Sequence, residues 1–249
     1  MNNTIIKAIS ILDFLTDNPN AGVTEISNRL ELPKSTVHNI LNTLNHYGFL
    51  EKSSESARYH LGAKLVELGY RAQNEIDICR IAHPYLRGLN EDLDETIHLT
   101  LLDQDQVLYV DCIESKKRLR TYSVIGVRAP LYCTSVGKAI MAFFDSQTIN
   151  RIILEKGLPK ITEHTITDPH KMVLELEKIR RLGYAVDNME HEADLRCVGA
   201  PIFNNRNEAF SSISISGPAS RVTLEKVDQI APLVMRAARE ISIKMGSRK

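Results

Sequence analysis

The sequence has no surplus of charge of either sign: lysine plus arginine number 31, and aspartate plus glutamate 31. The chain as a whole therefore offers no bulk attraction to nucleic acid or to a membrane surface. Cysteine is scarce, with four in 249 residues, at positions 79, 112, 133 and 197, and no C-x-x-C pair. That spacing excludes a small disulfide scaffold and fits free thiols in a reducing cytoplasm. Nowhere do about 18 apolar residues run together, so no membrane span is expected. The opening "MNNTIIKAISILDF" lacks the basic and long apolar parts of an export signal. Low-complexity tracts and repeats of useful period are also missing. What remains is an ordinary soluble composition, 43% hydrophobic, in a length that suits one large or two modest domains.

In residues 4–16, Ile5, Ala8, Ile9, Leu12 and Leu15 recur at helical spacing, with Asn3 or Thr4 as cap. "DNPNAG" ends that helix. Thr24 can cap a short second helix with Ile26 and Leu30 inward, and "ELP" breaks it. Pro33 suits the first position of a third helix, "PKSTVHNILNTLNHYG", with Val37, Ile40, Leu41 and Leu44 as its stripe and Gly48 just past its end. The free surface of this helix carries Ser35, Thr36, His38, Asn39, Asn42 and Thr43, short polar groups without a solubilising Glu/Lys mixture. "FLEKS" and "ARYHLG" follow as a hairpin, flanked by Lys52, Arg58 and Tyr59. Two short helices and a hairpin read as a winged helix-turn-helix over residues 1–62. Asn39 can pair bidentately with adenine; Ser35, Thr36 and His38 can meet bases or phosphates, and Lys34, Lys52 and Arg58 phosphates. Against this, residues 1–62 hold five basic and six acidic groups, so any DNA-facing charge must be arranged rather than pervasive. A small helical module for dimerisation or protein binding is the plainer alternative.

Residues 63–78 open with "AKLVELGYRAQNE", helical, with Leu65, Leu68 and Ala72 on one face and no Pro or Gly/Ser run. They read as a stiff linker helix before a second domain over 79–249. That domain starts with a helix over 78–93, in which Pro84 marks a kink or break. "TIHLTLL" and "VLYVDCI" flank "DQDQ" as a hairpin, and "RLRTYSVI" reads as a third strand. A helix starts near Ser135, another spans 171–182 and stops at Gly183, and a long one fills 223–245 with Leu224, Val227, Ile230, Val234, Ala238 and Ile241 inward. "LRCVGAPIFN" and "FSSISISG" pair around "NRNEA". Antiparallel strands covered by helices make the class α+β. In "FSSISISG", Ser212, Ser214 and Ser216 share one face and Ile213 and Ile215 the other. The hydroxyl face meets either water or a small polar cavity.

Enzyme motifs are wanting. "SVGKA" resembles the end of a phosphate loop, but Tyr132 stands where the earlier glycine belongs, and Ala139 follows Lys138. There is no G-x-S-x-G. "DNMEHEAD" gathers Asp187, Glu190, His191, Glu192 and Asp194; solvated side chains are its plain reading, and no metal or cofactor is expected. Cys197 on a buried strand reads as a packed thiol, and His164 and His170 as loop residues. An enzyme that processes a small acid with Asp187, His191 and Cys197 stays open as an alternative, as does a ligand sensor that binds no DNA.

With these parts in order, the chain resembles the IclR family of bacterial transcriptional regulators. The resemblance rests on "PKSTVHNILNTL", "YGFLEK", "PLYCTSVGKAIMA", "GYAVDNMEHEADLRCVGAPIF" and "ISISGPASR". It implies a winged helix-turn-helix, a linker helix, and a GAF-like effector domain with an antiparallel sheet and flanking helices. It also implies a homodimer that often pairs into a homotetramer on a double-stranded DNA operator. The effector pocket it implies is built from Ser135, Val136, Gly137, Asp187, Cys197, Ser214 and Ser216. Backbone N–H groups near Ser135–Gly137 could hold a carboxylate, and Asp187 and the serines could meet hydroxyl or keto oxygens. A small organic acid is the effector these residues suit. Two positions depart from the family's usual pattern: Asn39 stands where Arg is common, and Tyr132 where His is common.

Overall fold

The computed structural model describes residues 2–54, 56–121 and 125–248. The chain divides into two compact units, Met1–Glu75 and Ile76–Lys249.

The first unit contains α1 (Asn3–Asp17), α2 (Val23–Arg29), α3 (Lys34–His46), the hairpin β1 (Leu50–Lys52) and β2 (Tyr59–Leu61), and α4 (Ala63–Glu75). Asn2, rather than Asn3 or Thr4, caps α1, its side chain accepting from the Thr4 N–H at 3.1 Å. Only the later turns of α1 enter the core, through Ile11 and Leu15; Ile5 and Ile9, expected inside, are 57% and 52% exposed. Thr24 lies inside α2, and Gly22 takes the cap position. Pro33 is likewise the cap of α3 rather than its first residue. Val37, Ile40 and Leu41 pack with Ile26, Leu50 and Tyr59. At the end of α3, Gly48 takes φ +75° while the Phe49 N–H donates back to the Leu44 carbonyl at 2.9 Å, a left-handed stop that only glycine adopts freely. Tyr59 does not flank the wing: it is buried, and a bridge to Ala21 ties β2 to the turn before α2. On α4, Leu68 and Ala72 stay exposed.

The second unit opens with α5 (Asp77–Leu93), which runs unbroken through Pro84. A six-stranded antiparallel sheet follows, in the order β5-β4-β3-β8-β7-β6. Its strands are β3 (Thr96–Asp103), β4 (Gln106–Ile113), β5 (Arg128–Pro130), β6 (Ala185–Asn188), β7 (Leu195–Phe203) and β8 (Ala209–Pro218). Between β5 and β6 lie α6 (Ser135–Met141), α7 (Ser146–Lys156) and α8 (Pro169–Leu182), and α9 (Leu224–Lys244) ends the fold. Ile97, Leu99, Val198, Ala200, Ile213 and Ile215 form one core with α5 and α9. A second core gathers around α6, α7 and α8.

The third strand expected at 118–125 is displaced. Residues 118–121 and 125 are not strand, residues 122–124 lie outside the described residues, and the strand beside β4 is β5. Gly126, at φ +86°, carries the chain to that register, and its N–H reaches the Tyr109 carbonyl at 2.8 Å. α8 starts at Pro169, capped by Asp168, so His170 is helical rather than in a loop. Leu224 is 56% exposed, and the stripe of α9 starts at Val227.

Candidate functional site

The outer surface of α3 is polar and free of acids. Lys34, Ser35, His38, Asn39, Asn42 and Thr43 are exposed and Thr36 half-buried. No aspartate or glutamate occurs between Glu31 and Glu51. His38 Nδ1 and Asn42 Nδ2 lie 3.2 Å apart, one turn from each other. Asn39 makes no side-chain bond to its own helix; its carbonyl instead accepts from Thr43 Oγ1 at 2.9 Å. Its side chain is exposed and so accessible for base reading. Lys52 is exposed on β1, with its ammonium 5.7 Å from the Tyr59 ring centroid. Arg58 is more committed: its guanidinium donates to the Asn20 carbonyl at 2.6 Å and meets Glu25 at 3.5 Å. A phosphate at Arg58 would have to compete with both.

The second unit contains a cavity of about 610 Å³. Strand register explains its wall. Directly opposed residues on antiparallel strands share a face. Thr96, Ser216, Cys197 and Asp187 form one such row, and His98, Ser214 and Gly199 the next. This face of the sheet is hydroxyl-rich, while Ile97, Ile215 and Val198, one step along, line the apolar core behind. Ser212, Ser214 and Ser216 are all buried. Ser212 Oγ is used structurally, donating to the Val136 carbonyl at 3.0 Å, whereas Ser214 and Ser216 face the cavity.

Of the other expected pocket residues, the cavity takes in Ser135, Asp187 and Cys197 but neither Val136 nor Gly137. Val136 packs into the core around α6. The Gly137 N–H is already bonded to the capping Thr134 Oγ1 at 3.0 Å. Gly199 lets the first turn of α6 press on the sheet, since a Cβ there would stand 2.9 Å from the Ser135 carbonyl carbon. Tyr132 lies away from this cavity, its hydroxyl donating to the Pro159 carbonyl at 2.7 Å.

The 187–194 turn is not simply solvated, as its composition implied. Asp187 and Glu190 are buried, and Glu190 forms an ion pair with the fully buried Lys138 of α6. Lys138 Nζ also donates to the Val186 carbonyl at 2.7 Å. The Glu190 N–H in turn donates to Asp187 Oδ1 at 2.8 Å. Burial pushes the Asp187 carboxyl up to about 7, against the pull of that N–H bond. Burial raises Glu190 as well, with Lys138 opposing. The Cys197 thiol is held well above its usual range by burial and by Asp187, so it is protonated and a poor nucleophile. No group of three or more metal-ligating side chains occurs among the described residues.

Sequence reasoning missed several members. His98 and Tyr109 line the cavity together, their rings 5.2 Å apart and edge to face. Thr121, Arg120 and Arg128 also reach its wall. The only early signal for His98 was its placement at an alternating position on an apolar strand. Lys138 appeared only as a defective phosphate-loop lysine.

Residues 70–243 match the family described as "Bacterial transcriptional regulator IclR C-terminal", and residues 4–54 match its "IclR helix-turn-helix domain". The HTH-type transcriptional regulator KdgR of Escherichia coli is 37% identical over 98% of this chain and 93% of its own length. The regulator BhcR of Paracoccus denitrificans is 35% identical over 98% and 87%. The crystal structure of the Thermotoga maritima IclR superposes with a TM-score of 0.81 at 36% identity, covering 98% of this chain and 99% of that one.

Proposed function

The chain belongs to the IclR family of bacterial transcriptional regulators, and from that membership we propose a regulator whose operator binding is set by a small keto or hydroxy acid. In this reading Asn39, Ser35, Thr36 and His38 meet bases or phosphates, and Lys34 and Lys52 meet phosphates. Arg58 joins them by giving up its contact with Glu25. The acid sits among Ser135, Asp187, Cys197, Ser214 and Ser216.

One observation carries the ligand reading: Ser214 and Ser216 of β8 are buried and line the cavity rather than an open sheet face. A buried hydroxyl is costly without a partner, so a wall of them favours an oxygen-rich occupant. Arg120 and Arg128 at the same wall supply positive charge, although Glu114 and Asp103 already pair with them. A homodimer would present two α3 helices to successive major grooves. Supporting self-association, Ile5, Ile6 and Ile9 on α1 and Val66 and Tyr70 on α4 remain exposed although apolar.

The test is fluorescence anisotropy with DNA from upstream of the neighbouring genes against random DNA of equal length, with and without candidate acids. Tighter binding to one upstream fragment, changed by an acid in wild type but not in Ser214→Ala, is expected. Equal affinity for all DNA removes the operator reading. An acid response that survives in both Ser214→Ala and Asp187→Ala removes the pocket.

A further inference from the structure

We propose that His98 is a specificity residue of the cavity, donating its Nε2 hydrogen to the 2-oxygen of a bound 2-oxo acid. The inference rests on the ligand reading above and deepens it.

Three observations carry it. First, His98 is buried, lines the cavity, and its Nε2 has no hydrogen-bond partner among the described residues. A buried ring nitrogen left in this way is costly, and few such groups survive in native proteins without a role. Second, the other nitrogen has a partner. Nδ1 lies 3.3 Å from Ser216 Oγ, and Ser216 is also bonded to the Cys197 side chain. In the proposed arrangement Ser216 donates to Nδ1, which places the ring proton on Nε2. Third, a second orphan shares the wall: Thr121 Oγ1 is buried without a partner among the described residues and lines the same cavity.

The chemistry of the occupant follows from the donor. Burial lowers the His98 imidazolium pKa to about 4, so the ring is uncharged at neutral pH. An uncharged N–H matches an uncharged carbonyl, whereas a carboxylate calls for charge or several donors. The packing of the ring edge against Tyr109 keeps the imidazole plane in place. The sheet register sets His98 opposite Ser214, so donor and hydroxyl stand side by side on one row.

The experiment uses the full chain. Pyruvate, 2-oxobutyrate and 2-oxoglutarate are compared by thermal shift with propionate, butyrate and glutarate, which lack the 2-oxygen. The best oxo acid and its deoxygenated partner then go to calorimetry with wild type, His98→Asn, His98→Gln and Ser214→Ala. Asparagine keeps a partner for Ser216 but leaves nothing at Nε2; glutamine restores an N–H there. Wild type should bind the oxo acid about tenfold more tightly than its partner, one hydrogen bond's worth. His98→Asn should lose that advantage, and His98→Gln should regain part of it. On unsubstituted protein, the ¹⁵N signal of His98 Nε2 should report a protonated nitrogen and move on adding the oxo acid; a signal that stays put overturns the inference without any variant. If His98→Asn keeps the preference while Ser214→Ala loses binding, the inference fails and the cavity reading stands. If both bind as wild type does, or no oxo acid binds wild type, both fail.

Discussion

Replacing Asp187 by asparagine should stabilise the ligand-free protein at alkaline pH, and the gain should shrink in acid. The Asp187 carboxyl is raised from 3.8 to about 7 in the folded chain, chiefly by burial. Between those values the folded state holds a proton that the unfolded state has released, so stability falls as pH rises through this window. About three powers of ten in proton affinity, at roughly 1.4 kcal/mol each, amount to about 4 kcal/mol of lost stability at pH 8. At pH 5 only the first part of the window has been crossed, and the loss is about 2 kcal/mol. Asparagine carries no charge, and its Oδ1 can still accept the Glu190 N–H that Asp187 Oδ1 takes at 2.8 Å. The assay is urea denaturation of the full chain at both pH values, following the transition of Ile76–Lys249. An advantage for Asp187→Asn that is larger at pH 8 than at pH 5 by about 2 kcal/mol is expected. Equal stability of the two proteins at pH 8, or a difference independent of pH, would refute the reasoning. An aspartate kept in place at this cost has a use, and binding is the use proposed.

The buried Lys138–Glu190 pair should be destabilising to break from either side: Lys138→Met or Glu190→Leu alone should cost about 3–5 kcal/mol, and the two together should recover much of it, as a denaturation double-mutant cycle would show. Gly199→Ala forces a Cβ against the backbone of Ser135 and Val136 and should cost about 1–3 kcal/mol in a thermal melt. Asn39→Ala should erode preference at one base pair by about 1–3 kcal/mol, measured by competition among single-base operator variants. Lys52→Ala should weaken all DNA alike and reduce the slope of log affinity against log salt by about one.

What could be read from residue order was local. The stripe of α3, the stop at Gly48, the β3–β4 hairpin and the start of α6 are each written in a few neighbouring residues, and the folded chain has them. α7 was not foreseen, although Asp145 caps it and Ile149, Ile152 and Ile153 make its stripe. Errors arose where the third dimension decides. Ile5 and Ile9 have core chemistry, but only the later turns of α1, through Ile11 and Leu15, join the core of this unit. The strand after β4 moved to Arg128–Pro130 because the turn is made at Gly126. The 187–194 acids looked solvated because nothing nearby in sequence neutralises Glu190; its partner, Lys138, is 52 residues away. His98 acquires meaning only through the register that sets it beside Ser214, 116 residues later by the numbering of that pair.

The most direct test of the central claim, that one acid and one stretch of DNA act on each other through this chain, is reciprocity. The acid's affinity is measured calorimetrically for the free protein and for the protein saturated with its operator. The account predicts that the ratio of those affinities equals the factor by which the acid shifts operator binding, on the order of 5–150-fold. An acid that binds free and operator-bound protein equally well would contradict it.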